Sequence, residues 1–297
     1  MTRVLAAGAA AIAAILVGTG MVATRFVIEQ TDPVSLALLR YLVGLLCLLP
    51  PVLVSGWARF ERRDVLPIAL LGIGQFGILI VLLNFGLQYI GSGLGALIFA
   101  TLPLMTMMLA AALRYEALTP LKAAGVALTV VGVAFALGGN LGLPAAAPGN
   151  WIGALAVFAS ALTGAVCAVL YRPYLRRYPA LQVSAFAMLA SVAFLALLAA
   201  WQGFFGVVPR FTPGGWFAVL FIGVSSGVGY YLWLWALQHA TPTKVTVFMA
   251  LSPITAAALG ALLLSERLSA LFLLGLGCVA FGLCLAHWPG RTGITTR

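Results

Sequence analysis

Few side chains in this sequence could do chemistry, because the polar ones stand singly within long apolar runs. The candidates are an amide, hydroxyls, aromatic rings and a methionine: Asn84, Ser160, Thr163, Tyr230, Trp233, Met249 and Ser252. Amides and hydroxyls can hold a polar head group, whereas aromatic rings and methionine pack on apolar groups, and a ring also attracts a cation. We expect these seven residues to bind a substrate without covalent chemistry.

The amide and the hydroxyls each have a structural alternative. Asn84 could hold its helix in the bundle through an interhelical hydrogen bond instead of contacting a substrate. Ser160 and Thr163 begin a stripe that continues through Cys167 and Tyr171 at helical spacing. Stripes of small residues most often serve close packing of helices, so packing is the favoured interpretation of this one.

The aromatic candidates lie on one face of a single predicted helix. Tyr230 and Trp233 follow Ser226 on that face, whereas Tyr231 and Trp235 lie on another. One of the two faces must meet lipid or the interfacial belt. We expect the face of Tyr230 and Trp233 to point inward.

The sequence lacks the groups that covalent or metal catalysis requires. Its two histidines, His239 and His287, are not part of an HExxH pattern. The four cysteines stand singly in apolar runs without metal-ligand or CxxC spacing. No serine has a visible His/Asp constellation. We therefore expect no enzymatic activity, no metal and no cofactor.

The elements that must position these residues are membrane helices. Of 297 residues, 63% are hydrophobic and 7% are charged, whereas a soluble domain has about a quarter of its residues charged. Breaks at proline, glycine and charged clusters leave ten apolar stretches of spanning length: 4–26, 33–56, 65–89, 92–115, 119–139, 151–172, 180–204, 213–238, 242–265 and 268–288. The alternation of a membrane β-barrel is absent. We predict an all-α polytopic membrane protein with ten transmembrane helices.

The basic residues predict the orientation. The run 4–24 is longer than the apolar core of a signal peptide, so it is interpreted as the first membrane helix. With the N-terminus in the cytoplasm, the outer side holds only four of the sixteen basic residues: Arg25, Arg40, Arg210 and Arg267. Cytoplasmic connectors carry such an excess of Lys and Arg. Both termini are therefore predicted to be cytoplasmic, and the net charge of +10 reflects topology rather than nucleic-acid binding.

The chain contains an internal repeat. Residues 86–136 align with 236–286, and the aligned pairs are Pro103 with Pro253, Glu116 with Glu266, Gly125 with Gly275 and Gly132 with Gly282. An uncharged connector, 138–150, separates a first unit, 1–140, from a second, 150–290. Because each unit has five helices, the second enters the membrane from the opposite side. Such inverted repeats enclose a central binding site in many secondary transporters.

The same pattern thus occurs twice in the chain. It consists of a proline-containing helix that ends in glutamate, a short turn, and a closing helix that contains several glycines. This pattern resembles the EamA family of the drug/metabolite transporter superfamily, and the resemblance extends from residue 4 to about 288. Within the family the sequence is most similar to the YddG-type amino acid exporters of bacterial inner membranes. The resemblance implies a basket of ten helices around a cavity lined mainly by helices 1, 3, 4, 6, 8 and 9, with helices 5 and 10 peripheral.

We therefore predict a secondary transporter that exports small amphipathic metabolites by alternating access. Amino acids with aromatic or neutral side chains are the favoured substrates; drugs or other metabolites are the alternative, and an intramembrane enzyme is a remote one. No Asp or Glu lies at mid-depth in a predicted helix, so the substrate's own gradient is favoured as the driving force over a central proton-binding carboxylate. The expected partners are the substrate and the lipid bilayer, not nucleic acid, and the oligomeric state, a monomer among the options, stays open.

The repeated prolines are the candidate hinges. Pro103 and Pro253 lie inside the predicted helices 4 and 9, where each disturbs the carbonyl four residues earlier. The resulting kinks could shape the site, act as pivots, or form fixed bends.

The charges near the helix ends have local interpretations. Glu116 and Glu266 are expected to pair with neighbours or cap local backbone, and Arg25 with Glu29 to form a local ion pair. Arg40, two turns into the second helix, could attract a carboxylate or, as the favoured alternative, extend to the outer interface.

Overall fold

Helices make up nearly all of the chain that the structure describes. The computed structural model describes residues 2–56, 59–113, 120–141, 150–206, 210–239 and 247–286. The α-helices within these residues are α1 (Thr2–Val27), α2 (Pro33–Ser55), α3 (Arg62–Gly72), α4 (Leu79–Tyr89), α5 (Ser92–Phe99), α6 (Leu102–Ala112), α7 (Pro120–Leu141), α8 (Asn150–Leu170), α9 (Arg172–Arg177), α10 (Ala180–Trp201), α11 (Pro213–His239), α12 (Leu251–Leu264) and α13 (Ala270–Ala286). A π-helical segment, Ile73–Ile78, joins α3 to α4, and 3₁₀ turns occupy Ile28–Gln30 and Val247–Ala250.

The helix lengths match a bilayer. Within the described residues, seven apolar helices are long enough to cross a membrane: Val4–Gln30, Pro33–Ser55, Arg62–Tyr89, Ser92–Leu109, Trp151–Arg177, Ala180–Trp201 and Pro213–Trp233. Three shorter apolar helices complete the ten predicted stretches: Pro120–Ala136, Leu251–Leu264 and Ala270–Leu285. The prediction of an all-α polytopic membrane protein is confirmed.

Polar caps set where the chain turns back into the membrane. The Asp32 carboxylate accepts hydrogen bonds from the backbone N–H groups of Val34 and Ser35, both at 2.9 Å, at the start of α2. The Ser269 hydroxyl accepts from the N–H of Phe272 at 3.0 Å at the start of α13. These side chains satisfy N–H groups that would otherwise lack a partner in the first turn.

The sequence predicted the two repeated prolines in the interior of continuous helices. The structure places them near helix starts instead. The fourth predicted helix breaks at Ala100–Thr101, and Pro103 stands in the first turn of α6. Pro253 is likewise the third residue of α12, directly after the 3₁₀ turn Val247–Ala250. A proline in a first turn sacrifices no helical hydrogen bond, because that N–H has no acceptor within the helix. Each proline therefore begins a new segment rather than kinking an existing one.

The helices pack as two intertwined bundles. The first bundle consists of α1, α2, α11 and α12, and the second of α3, α4, α6, α8 and α10. α1 packs on α11 and α12, just as α8 packs on α4 and α6; α2 packs on α11, just as α10 packs on α3. Exchanging each helix for its repeat counterpart therefore reproduces the same contacts. This is the two-fold relation that an inverted repeat predicts.

The remaining pair, α7 and α13, packs mainly on itself at the periphery, as the resemblance implied for helices 5 and 10. The glycines of the repeat form this contact crosswise. A methyl group on Gly132 would lie 2.7 Å from the carbonyl oxygen of Gly275, and one on Gly282 would lie 2.7 Å from that of Gly125. Only glycine permits backbones to approach this closely, so the repeated glycines are a packing device.

We expect Gly275→Ala to lower the thermal stability of the purified protein. The added methyl would lie 3.0 Å from Cβ of Ala136 and closer still to the backbone of Gly132, and overpacking of this kind costs about 1–3 kcal/mol. Gly277→Ala is the matched control, because nothing lies within 4 Å of the added methyl on the same helix. Equal melting temperatures for the two variants, measured in the same detergent, would contradict this account of the α7–α13 contact.

Candidate functional site

Three aromatic rings fill the interior between the two bundles. Tyr41 of α2 contacts Phe76 of the π-helical segment edge-on, with ring centroids 5.2 Å apart. Phe76 contacts Tyr230 of α11 in the same way, also at 5.2 Å. Tyr41 and Phe76 are buried and Tyr230 is half-buried. We call Tyr41, Phe76 and Tyr230 the aromatic column.

The π-helical segment explains how Phe76 reaches this position. A methyl group on Gly72 would collide with the backbone of Ala187 in α10, and one on Gly74 would lie 2.9 Å from the sulfur of Cys167 in α8. The chain can therefore pass against α8 and α10 only because small residues stand there. The wider π turn shifts the register of the helix, and such turns are common at functional sites.

Arg40 adjoins the aromatic column from α2. Its Nε donates a hydrogen bond to the hydroxyl of Ser226 in α11 at 2.7 Å, and its Cζ lies 5.8 Å from the ring centroid of Tyr41. A methyl group on Gly20 of α1 would lie 3.9 Å from its Nη2. The guanidinium thus lies among α1, α2 and α11, so the favoured expectation that it extends to the outer interface is wrong.

Of the predicted binding residues, Tyr230 is the one that belongs to this column. Trp233, one turn further along α11, packs in a small cluster with Ala9, Ala10 and Ala236 between α1 and α11. Tyr231 is 43% exposed on the outside of the helix. Trp235, on the same predicted face as Tyr231, is half-buried in the same cluster as Trp233, so the assignment of that face to lipid stays a prediction.

The polar stripe on α8 is occupied by helix packing. The buried Ser160 hydroxyl donates to the carbonyl oxygen of Leu79 at 2.8 Å, and the Cys167 thiol to that of Leu71 at 3.8 Å. These two acceptors flank the π-helical segment, where regular helical hydrogen bonding is interrupted. Thr163 bonds within its own helix, to the carbonyl oxygen of Ala159 at 2.8 Å. The packing interpretation of the stripe agrees with these contacts.

Asn84 is fully buried in α4, and its amide nitrogen donates to the carbonyl oxygen of Pro33 at 3.0 Å. The bond joins α4 to the start of α2, which is the structural alternative for this residue. Among the described residues its amide oxygen has no hydrogen-bond partner, so one half of the amide stays available.

The last two predicted binding residues lie near the crossing of α1 and α12. Met249 is half-buried in the 3₁₀ turn before α12. Ser252 is buried, and its carbonyl oxygen would lie 2.5 Å from a methyl group on Gly18 of α1. This close approach places Ser252 in a tight helix crossing.

A carboxylate joins the turn after α12 to α5, the helix that packs on α12 of the first bundle and on α8 of the second. One oxygen of Glu266 accepts from the N–H and the hydroxyl of Ser92, at 2.7 and 2.9 Å, and the other accepts from the N–H of Gly93 at 3.3 Å. Its negative charge meets the positive end of α5, which strengthens these bonds. We call Glu266, Ser92 and Gly93 the Glu266 latch. Glu266 thus caps backbone, but at a helix start 174 residues away rather than locally as predicted; Glu116 lies outside the described residues.

A second contact between the bundles lies at the opposite end. The amide nitrogen of Gln182 in α10 donates to the carbonyl oxygen of Gly56 at 3.1 Å and to the hydroxyl of Ser55 at 3.3 Å. We call Gln182, Ser55 and Gly56 the Gln182 latch. The Gln182 latch joins α10 to the end of α2, whereas the Glu266 latch joins the end of α12 to the start of α5.

Further polar contacts at each end lie within one bundle. In the second bundle and its adjoining loops, the Tyr178 hydroxyl donates to the Asp64 carboxylate at 2.8 Å, and Arg177 pairs with the same oxygen at 3.3 Å. At the C-terminal end of α1, Arg25 and Glu29 form the predicted ion pair at 2.9 Å. Within the described residues, no group of three His, Cys, Asp or Glu could hold a metal ion.

Sequence reasoning missed most of the column. It found Tyr230 but neither Tyr41 nor Phe76, because an aromatic residue in an apolar run has no distinguishing pattern. The available signal was the sequence GIGQFG at 72–77, where three glycines surround Phe76 in a predicted membrane helix.

Comparisons with known proteins agree with this architecture. Residues 4–138 and 151–288 each match the EamA-like transporter family. An "Uncharacterized transporter" of Archaeoglobus fulgidus is 24% identical over 90% of this chain and 92% of its own. A "Probable terminal-alkyne amino-acid exporter" of Streptantibioticus cattleyicolor is 29% identical over 67% of this chain and 65% of its own. A crystal structure with 22% identity superposes with a TM-score of 0.70 and covers 93% of this chain and 94% of its own, which shows a shared fold.

Proposed function

Since the chain belongs to the EamA-like transporter family, we propose that it is a secondary exporter of amino acids with aromatic or other neutral side chains. The observation that carries the amino acid assignment is the aromatic column beside the Arg40 guanidinium, in the interior between the bundles. Rings suit an apolar side chain, and a polar group beside them suits a charged head. The relative named as a probable amino-acid exporter supports the same substrate class.

We propose alternating access between the two bundles rather than between the two halves of the sequence. α1 packs on α11 and α12 of the second half, and α8 packs on α4 and α6 of the first. Separating the halves would break these contacts, whereas tilting the intact bundles would preserve them. The contacts that must change are the packing of α2 on α10, with the Gln182 latch at its end, and the packing of α5 on α12, with the Glu266 latch at its end.

The helix breaks before Pro103 and Pro253 are suited to serve as pivots in this motion. Each lies where backbone hydrogen bonding is already interrupted, so a small rotation there breaks no further helical bond. Met249 and Ser252 adjoin one of the breaks. We retain four further residues as proposed contributors to the substrate path: Asn84, Trp233, Ser160 and Thr163. Ser160 and Thr163 are held by the packing contacts described above.

We place the protein in the bacterial inner membrane with both termini in the cytoplasm. The excess of basic residues in alternate connectors supports this orientation. It puts the Glu266 latch on the outer side and the Gln182 latch on the cytoplasmic side. A transporter of this kind needs no covalent step, cofactor or metal.

The transport assay uses proteoliposomes loaded with a panel of labelled amino acids and amphipathic drugs, with and without a pH gradient. We expect aromatic or neutral amino acids to leave the proteoliposomes faster than they leave protein-free liposomes loaded in the same way. Tyr230→Ala should raise the half-saturating concentration about tenfold, because it removes a ring from the column. Tyr230→Phe, which keeps the ring, should remain close to wild type.

Tyr231→Ala is the matched control for this variant, because the neighbouring tyrosine faces outward. Equal loss of transport in Tyr230→Ala and Tyr231→Ala would indicate a general effect on the fold. Efflux of drugs with no efflux of any amino acid would reject the proposed substrate class.

Cross-linking tests the latches as gates. In a variant whose four native cysteines are replaced, cysteine pairs at positions 92 and 266, or 55 and 182, are joined by a short thiol-reactive linker. Each cross-link should stop transport, and reduction should restore it, because both ends must open during a cycle. A pair at positions 25 and 29, within one helical stretch, is the control. Undiminished transport by either cross-linked latch would reject alternating access between these bundles.

Orientation is tested by labelling intact cells with a membrane-impermeant maleimide. A single cysteine at position 266 should be labelled from outside, whereas one at position 61 should react only after the cells are permeabilised. The reverse pattern would overturn the assigned orientation.

A further inference from the structure

Arg40 is a half-buried cation without a protein counter-ion among the described residues. Its hydrogen bond goes from Nε to the Ser226 hydroxyl, and its remaining contact is the Tyr41 ring. That hydroxyl in turn donates to the carbonyl oxygen of Ile222 at 2.6 Å. Ser226 thus holds one edge of the guanidinium, and the two terminal nitrogens have no acceptor within the part of the chain that the structure describes.

The carboxylates that could neutralise Arg40 are engaged elsewhere. Of the six acidic residues in the sequence, the structure describes five. Each of these five has its own partner: Glu29 with Arg25, Asp32 with the start of α2, Glu61 with Arg63, Asp64 with Arg177 and Tyr178, and Glu266 with the start of α5. The sixth, Glu116, belongs by the predicted topology to the cytoplasmic end, far from the level of Arg40.

An unneutralised cation inside a membrane protein is costly and therefore generally functional. The planar guanidinium presents its terminal N–H groups in a fork that matches a carboxylate. The neighbouring ring of Tyr41 begins the aromatic column, so a ligand whose carboxylate meets Arg40 directs its side chain towards Phe76 and Tyr230.

We infer that Arg40 binds the substrate's carboxylate and thereby selects anionic or zwitterionic substrates over uncharged or cationic analogues. This inference rests on the proposed function and names the group of the substrate that the site recognises. Ser226 is the positioning residue that holds the guanidinium.

The test uses the full chain in detergent and three probes: L-phenylalanine, L-phenylalaninamide and 3-phenylpropanoate, with binding followed by tryptophan fluorescence. Wild type should bind both carboxylates more tightly than the amide. In Arg40→Gln this preference should fall by about tenfold or more, while affinity for the amide changes little. Arg25→Gln, which removes an arginine from the outer end of α1, should retain the wild-type preference.

Size-exclusion profiles establish that each variant is folded. If Arg40→Gln does not fold, Arg40→Lys and Ser226→Ala replace it. Each should reduce the preference partially, because lysine lacks the forked guanidinium and alanine at position 226 no longer holds it in place. An equal loss of affinity for all three probes would assign Arg40 a structural role and overturn the inference, as would failure of the wild type to bind either carboxylate. Binding of 3-phenylpropanoate but not L-phenylalanine would preserve the role of Arg40 and reject the amino acid assignment.

Discussion

The close approach of helix backbones at glycine is the constraint on which the rest of this structure depends. Lipid offers no hydrophobic drive for helices to associate, so contact must come from dense packing and interhelical hydrogen bonds. Gly86 of α4 and Gly153 of α8 face each other, such that a methyl on either would lie within 2.9 Å of the other's carbonyl oxygen. A methyl on Gly227 of α11 would likewise lie 2.8 Å from the carbonyl oxygen of Gly44 of α2. Larger residues at these points would push the two helices of each pair apart.

This packing determines which parts can move together. The tight glycine crossing of α4 with α8 lies within the second bundle, and that of α2 with α11 lies within the first. Between the bundles, α2 packs on α10 and α5 packs on α12, with polar contacts at the two ends. Charge-assisted hydrogen bonds such as those of Glu266 are worth about 1.5–3 kcal/mol each, which is comparable with the few kcal/mol that separate alternative conformations of a transporter. The fold thus combines rigid units with contacts weak enough to be exchanged.

The interior combines two kinds of polar group. Ser160, Cys167 and the amide nitrogen of Asn84 bond to backbone carbonyl oxygens and hold helices in register. Arg40, in contrast, bonds to one hydroxyl and otherwise faces the ring of Tyr41. Both kinds look the same in the sequence, as single polar residues in apolar runs. Only the identity of the acceptor separates a packing contact from a group free to meet a ligand.

Membrane class, helix number, inverted repeat and family were all accessible from the sequence, because each depends on local properties. These local properties are the length of each apolar run, the charge of each connector, and glycine or proline at matching positions. They are set by neighbouring residues and by the cost of exposing backbone to lipid. The helix break before Pro103 was less accessible, since proline is compatible with a kink or with a first turn.

The partners of the polar residues were decided by the tertiary structure alone. Ser226 lies 186 residues from Arg40, and Glu266 lies 174 residues from Ser92. No local pattern encodes such pairs, because they form only when helices of the second half of the chain pack against helices of the first half.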